Sequence, residues 1–216
     1  MSIKIILADD HSMLRHGLGR SFEQEKDIDV VGQTKDGHST IELVRELSPN
    51  VVVMDIGMPD LNGIEATRRI TKDYPKVKVV GLSMHSSDKY VREMFRAGAS
   101  GYLLKDCPFE ELVEAIKTVV GGKTYISPSI SDMVVKEYAS KPDEEKTVFS
   151  VLSPREREVL QLFAEGKTTK QIGLCLHISP KTVEAHRLRI MDKLDIDNIA
   201  QLTKYAIQEG LTELES

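Results

Sequence analysis

Long apolar runs are missing from this chain of 216 residues. No stretch approaches the ~20 residues of a membrane-spanning helix, so no membrane partner is expected. Lys4 interrupts the only apolar N-terminal segment, and no secretory signal is expected either. Cysteine is scarce: Cys107 and Cys175 lie far apart and offer neither a disulfide framework nor a CxxC metal site, which fits a reducing cytoplasm. No HExxH motif supports zinc. Gly121-Gly122-Lys123 lacks the rest of a P-loop. The segments DIDVVG and DIDNIA begin like calcium loops but put Val31 and Ile199 where an oxygen ligand belongs. Internal repeats and low-complexity tracts are absent too. Positive charge is also short, with 29 Lys and Arg against 34 Asp and Glu, a net of −5. Taken over the whole chain, that sign argues against a non-specific nucleic-acid binder, whose phosphate contacts need positive surface.

What is present is ordinary for a globular protein, 40% hydrophobic and 29% charged, with length enough for two domains. Short aliphatic runs at 3–8, 28–32, 51–54, 77–82 and 101–104 alternate with amphipathic stretches such as 41–47 and 64–70. Continuous apolar strands predict a sheet buried on both faces. Five strand-then-helix units predict an α/β domain with a five-stranded, doubly wound parallel sheet over residues 1–121. A helix over 127–139 and a polar linker at 140–147 follow, so 122–150 connects the domains. Every later periodic segment is helical: 154–165, 169–176, 179–194 and 199–209. Residues 151–216 are therefore expected to form an all-α four-helix domain. Ser153 and Ser179 are its expected N-caps, each followed by proline at the first helical position.

In a parallel α/β sheet, ligands bind beyond the carboxyl ends of the strands. The first strand runs into Asp9 and Asp10, the third into Asp55, the fourth into Ser83 and the fifth into Lys105. Alone, Asp10 reads equally well as a solvated residue at the start of a helix. Together, three carboxylates, a hydroxyl and an ammonium converge on one crevice. Clustered carboxylates repel unless a cation sits among them, and hard oxygen ligands suit Mg²⁺. A carboxylate nucleophile flanked by cations and a hydroxyl is what phosphoryl transfer requires.

The segments LADDH (7–11), MDIGMPDLNGIEATR (54–68) and GYLLKD (101–106) give residues 1–120 a resemblance to the receiver domain of two-component response regulators, a flavodoxin-like fold. The resemblance implies Asp55 as phosphoacceptor and Mg²⁺ held by Asp10, Asp55 and the Gly57 backbone carbonyl, with Asp9 assisting through water. It also implies Ser83 and Lys105 on the phosphoryl oxygens and Tyr102 as the switch aromatic. Many receivers place proline directly after the lysine; here Asp106 follows, and no cis proline is expected at that turn.

In the second half, 169–176, the turn at His177-Ile178 and 179–194 have helix-turn-helix spacing. At ~100° per residue, Val183, Ile190 and Leu194 share an inward face, with His186 beside them as a packed histidine. Lys181, Ala185, Leu188 and Asp192 lie opposite, flanked by Glu184 and Arg189. Such a mixture can read a major groove, with basic residues on phosphates or guanine, Glu on cytosine and Ala or Leu on thymine methyl. Lys181 and Thr182 are placed for backbone phosphates. Leu188 reads equally well as a protein contact. Residues 151–216 hold 9 basic and 10 acidic side chains, yet 167–193 hold six basic (Lys167, Lys170, Lys181, Arg187, Arg189, Lys193) against Glu184 and Asp192.

LSPREREVLQLFAEGKTTKQIGLCLHISPKTVEAHRLRIMDKL (152–194) resembles the LuxR-type helix-turn-helix of NarL/FixJ regulators. Gly173 stands where such proteins often have alanine, a helix cost of ~1 kcal/mol, and 195–198 is more acidic than usual. The resemblance implies a cytoplasmic response regulator and not an enzyme. A sensor histidine kinase would phosphorylate Asp55, and DNA binding by a homodimer would control transcription. Lys170, Lys181, Thr182, Glu184, Ala185, Arg187, Leu188 and Arg189 are the expected DNA contacts. On the last helix, Ile199, Leu202, Tyr205 and Ala206 form a candidate dimer surface, with Ile199 and Leu202 leaning toward the core. Two rivals remain at this point: an output domain that binds protein, and a phosphohydrolase forming an aspartyl-phosphate. The second usually needs an acid/base aspartate two residues after the nucleophile, where this chain has Gly57.

Overall fold

A computed structural model describes residues 2–131, 134 and 148–212, which fall into two compact units, Met1–Pro142 and Asp143–Ser216. The first unit alternates β1 (Ile3–Ala8), α1 (Ser12–Phe22), β2 (Ile28–Thr34), α2 (Gly37–Leu47), β3 (Val51–Asp55), α3 (Gly63–Asp73), β4 (Lys78–Ser83), α4 (Asp88–Arg96), β5 (Gly101–Leu104) and α5 (Phe109–Val120). A sixth strand, β6 (Tyr125–Ile126), follows. All pairings are parallel, in the order β2-β1-β3-β4-β5-β6. The order reverses between β1 and β3, and the crevice there is where such sheets bind ligands.

The expected five strands are thus six. After α5, Gly122 adopts φ +81° and turns the chain back along the outer edge of β5. Tyr125 N–H donates to Ser100 O at 3.0 Å and Ser127 N–H to Tyr102 O at 3.0 Å. Two residues are too few to show a period of 2 in a sequence, but pairing them covers backbone groups that would otherwise form an open edge. Residues 128–131 begin the helix expected after this strand; most of it, and the whole linker at 140–147, lie outside the described residues.

Every residue of β3 is buried, as a strand covered on both faces requires. Alternation divides the sheet. Ile5, Leu7, Val51, Val53, Val80, Leu82 and Leu103 pack with Phe22, Leu112 and Ile116 on one side, and Ile6, Val52, Met54, Val79 and Tyr102 are buried on the other. Asn62 caps α3 by accepting from Glu65 N–H at 3.0 Å. Gly63 N–H donates to Ile56 O at 2.9 Å, and a Cβ at Gly63 would lie 1.9 Å from the Asp55 carbonyl oxygen. Only glycine lets the head of α3 press this closely on the end of β3.

The second unit holds α6 (Val148–Val151), a short turn not expected from periodicity, and the four expected helices: α7 (Pro154–Ala164), α8 (Thr169–Cys175), α9 (Pro180–Leu194) and α10 (Ile199–Gln208). Ser153 and Ser179 cap α7 and α9 as expected, Ser153 in a full capping box with Glu156. Val159, Leu160, Ile172, Leu176, Val183, Ile190, Leu202 and Ala206 form one core. Leu202 and Ala206 are fully buried, whereas Ile199, expected to lean toward the core, is 44% exposed at the first position of α10. Gly173 answers to packing as well as helix propensity, because a Cβ there would sit 2.8 Å from the Ile178 carbonyl oxygen across the helix-turn-helix. No cis peptide occurs among the described residues, and none of their helices is long and apolar enough to cross a membrane.

Candidate functional site

The carboxyl ends of β1 and β3 bring Asp9, Asp10 and Asp55 together. Ligand atoms of these three and of His11 all lie within 4.8 Å of one another. Asp9 and Asp55 are buried, at 3% and 4% exposure, while Asp10 opens to solvent. Lys105 reaches in from the end of β5 and stands between the two buried carboxylates, Nζ at 2.8 Å from Asp55 Oδ2 and 2.9 Å from Asp9 Oδ2. Its bond to Asp55 is a directed hydrogen bond. Asp9 Oδ2 receives the ammonium's charge but no aligned N–H, so that buried oxygen has unused acceptor capacity facing the cluster.

The neighbours hold these groups in place. Asp9 Oδ1 accepts from His11 N–H at 2.8 Å, and Arg15 donates to the Asp9 carbonyl. Gly57 N–H donates to Asp55 Oδ1 at 3.3 Å. Burial first, and the Asp9 charge second, push the Asp55 carboxyl up to about 7. Burial works against the Lys105 ammonium, but the Asp55 and Asp9 carboxylates outweigh it and hold its pKa above the ordinary lysine value. Three hard oxygen donors and an oxygen with spare capacity fit a small divalent cation. His11, whose Nδ1 lies 3.0 Å from Asp10 Oδ1 and 3.2 Å from Asp9 Oδ1, is the member that sequence reasoning missed. Its place directly after Asp9-Asp10 was the available signal.

Ser83 is buried at the end of β4, beside β3, and its Oγ accepts from His85 N–H at 3.0 Å. Tyr102 is fully buried and donates from its hydroxyl to the His85 carbonyl at 2.7 Å. Tyr102 therefore packs inward, held at its hydroxyl by the loop that follows β4. Gly81 lies between this ring and Met94: a Cβ there would come 2.9 Å from the Met94 methyl and 3.4 Å from the Tyr102 ring. Asp9, Asp10, Asp55, Gly57 and Lys105 gather in one place, with Ser83 and Tyr102 on the adjoining strand ends.

On α9, Lys181, Thr182, Ala185, Leu188 and Arg189 are exposed, as is Lys170 on α8. Glu184 and Arg187 are spoken for. Glu184 Oε1 accepts from Thr169 Oγ1 at 2.7 Å, and Oε2 from Arg187 Nη2 at 2.7 Å. That bond to Thr169, with the Arg187 pair behind it, outweighs burial and sets the Glu184 carboxyl below its ordinary value. Lys193 binds the buried Glu156 at 2.7 Å, and Lys167 pairs with Glu165 at 3.2 Å. Burial opposes ionisation of Glu156, but Lys193 and the Ser153 donors overcome it and lower its pKa. Of the six basic residues counted between 167 and 193, three thus neutralise acids of their own unit. Lys170, Lys181 and Arg189 supply the outward positive charge. His186 packs as expected, its Nδ1 buried without a hydrogen-bond partner and its pKa lowered mainly by burial.

Comparison with known proteins agrees with both halves. Residues 5–117 match the response regulator receiver domain, and 150–206 match the bacterial regulatory proteins of the luxR family. The transcriptional regulatory protein DegU of Brevibacillus brevis is 38% identical over 96% of this chain and 94% of its own. The oxygen regulatory protein NreC of Staphylococcus carnosus is 36% identical over 98% of this chain and all of its own. The RcsB response regulator of Salmonella typhimurium superposes with a TM-score of 0.64 at 28% identity, covering 94% of this chain and 96% of that one. A structure of two RcsB dimers bound to two parallel DNAs gives 0.60 at 28% identity, covering 95% and 98%. With its acidic pocket at the strand ends and its helix-turn-helix, the chain belongs to the response regulators that join a receiver domain to a luxR-family domain, a family of transcription regulators rather than enzymes.

Proposed function

We propose that a sensor histidine kinase phosphorylates Asp55 and that this modification controls sequence-specific binding of the second unit to double-stranded DNA. The observation that carries the reading is the pairing of a buried Asp55 with Lys105 at 2.8 Å inside a carboxylate cluster. An ion pair of this kind, at a strand end beside solvent-open Asp10, is a nucleophile held next to the cation that will take over the incoming charge.

Asp10, Asp55 and the Gly57 carbonyl would hold Mg²⁺, with Asp9 assisting through water. The ion, when bound, offsets negative charge on the carboxylates and phosphoryl oxygens. An Asp55 oxygen attacks phosphorus, and the new P–O bond forms as the donor's P–N bond breaks. Lys105 Nζ then follows the charge from the carboxylate to a phosphoryl oxygen. Ser83, at the end of the neighbouring strand, turns its hydroxyl proton to another. Because Ser83 Oγ also accepts from His85 N–H, and the His85 carbonyl accepts from Tyr102, capture of the phosphoryl group pulls on the loop that holds Tyr102. The face built by α4, β5 and α5 is the two-state element so biased. Gly57 stands where a phosphohydrolase would carry its acid/base aspartate, so the acyl phosphate is stored.

For the second unit, exposed Lys170, Lys181 and Arg189, with Thr182 at the head of α9, supply the phosphate contacts. A homodimer presents two copies of α9 to half-sites about 34–36 Å apart, with exposed Ile199 and half-buried Tyr205 as the remaining surface candidates from α10. RcsB, solved on DNA as dimers, supports both steps. The test is intact mass after incubation with a small phosphodonor and Mg²⁺. One added phosphoryl group on wild type and none on Asp55→Asn is expected; equal labelling of both refutes the assignment.

A further inference from the structure

The outward stripe of α9 is built unlike an ordinary solvated helix face. Residues 181, 185, 188 and 192 fall within about 60° of one another at 100° per residue. Lys181 stands at the N-terminal end, Asp192 at the other, and the middle is apolar. Leu188 is 61% exposed, among the most exposed large hydrophobic side chains of the described residues, and Ala185 beside it is exposed as well. The polar residues Glu184 and Arg187, expected to read base edges, are only partly exposed and are engaged with one another. Both Glu184 oxygens are bonded, to Thr169 and to Arg187, and Arg187 is turned onto Glu184 through Nε at 2.9 Å and Nη2 at 2.7 Å. This clamp ties α9 to the start of α8 and leaves the centre of the stripe without a free hydrogen-bonding side chain.

We infer that Leu188, with Ala185, is the specificity-determining element of this helix and reads the 5-methyl groups of adjacent thymines in the major groove. The inference rests on the DNA-binding reading above. In the major groove the thymine methyl is the apolar base-edge feature, and an alkyl side chain is its matching partner. Lys181 and Arg189, exposed and flanking the apolar centre, fit the phosphates on either side of the groove. Three residues of helix rise, about 4.5 Å, separate Ala185 from Leu188, close to the ~3.4 Å between successive base pairs. Each half-site should accordingly carry neighbouring A·T pairs, with Ala185 small enough to let the backbone approach and Leu188 filling the space beside it. Glu184 and Arg187 act as positioning residues, setting the angle of α9 against α8 rather than contacting bases.

The test uses the full chain, with and without a small phosphodonor. A bound duplex is selected from random sequence, and its affinity is compared with that of the same duplex carrying deoxyuridine for thymidine inside the half-sites. That exchange removes the methyl and leaves every hydrogen-bonding group in place. Wild type should bind the deoxyuridine duplex about fourfold more weakly per methyl read, the effect of burying one methylene-sized group. Leu188→Ala, which truncates an exposed side chain and should melt like wild type, should bind the thymine duplex more weakly and lose about fourfold of the discrimination, keeping only what Ala185 contributes. Equal wild-type binding to both duplexes would overturn the inference, as would full discrimination retained by Leu188→Ala. Failure of wild type to bind any duplex would instead sink the DNA-binding reading beneath it. Unchanged DNA affinity in Leu188→Ala with an altered oligomeric mass would make Leu188 a protein contact.

Discussion

Replacing Asp55 with asparagine should stabilise the receiver unit at neutral pH, and by an amount that depends on pH in a defined way. Asp55 is 4% exposed and shares one ammonium with Asp9, and burial, with the Asp9 charge second, pushes its carboxyl up to about 7 from the ordinary 3.8. A carboxyl that binds its proton more tightly folded than unfolded stabilises the fold fully below pH 4. That contribution is lost as pH rises toward 7 and is gone above it. Three pH units at about 1.4 kcal/mol each set a ceiling of about 4 kcal/mol on the loss. Asparagine has the same shape, still accepts from Gly57 N–H and Lys105, and does not titrate. The variant should therefore match wild type near pH 4 and exceed it increasingly up to pH 7. At a few degrees per kcal/mol, the gap above pH 7 amounts to about 10 °C in Tm. Scanning calorimetry of the full chain without divalent cations, from pH 4.5 to 8, resolves the receiver transition from that of the helical unit. A constant difference between the two proteins across that range would refute the reasoning. Saturating Mg²⁺ should then raise the wild-type transition and largely spare the variant, since a ligand stabilises only the fold that binds it.

Other consequences follow from the same geometry. Gly63→Ala places a methyl 1.9 Å from the Asp55 carbonyl and must displace the head of α3 or the end of β3; a Tm fall of several degrees and slowed phosphodonor labelling are expected. Tyr102→Phe removes the hydroxyl bond to His85 O at 2.7 Å and should cost about 1 kcal/mol in urea unfolding, with labelling of Asp55 retained. Lys181→Ala with Arg189→Ala should weaken DNA binding and flatten its dependence on log salt by about two contacts' worth, ~1.8 in slope. An unchanged slope would show that those two side chains do not meet phosphates.

The α/β framework was legible because burial on both faces leaves few ways to write a strand. Val51 to Met54 admits nothing but apolar residues, and the polar chemistry begins where the strand ends. The convergence of Asp9, Asp10, Asp55, Ser83 and Lys105 followed from topology alone, since strand ends in a parallel sheet face one side. What stayed hidden depends on contacts between distant segments. β6 is too short for periodicity, and its cause is the open edge of β5. Gly63 looks like any glycine after an asparagine until the Asp55 carbonyl is found where its Cβ would be. Gly173, which by propensity alone is only a cost to its helix, lies where a Cβ would come 2.8 Å from the Ile178 carbonyl oxygen of the turn.

The charge of the second unit makes the same point about function. By sequence alone, the charge count over residues 167–193 reads as a basic cluster. It could not show that Lys193 is spent on a buried Glu156 in a capping box, Arg187 on Glu184 and Lys167 on Glu165. Once those pairs are made, the accessible cations are Lys170, Lys181 and Arg189, and they border an apolar strip rather than a polar one. Phosphate affinity and base discrimination then belong to different side chains. Mutations at Lys181 or Arg189 should lower affinity for every sequence alike, whereas a change at Leu188 should alter which sequences are preferred. A chain whose net charge argues against nucleic acid can still bind it, because a helix only 15 residues long carries the contacting face and the acids that dominate the total lie elsewhere.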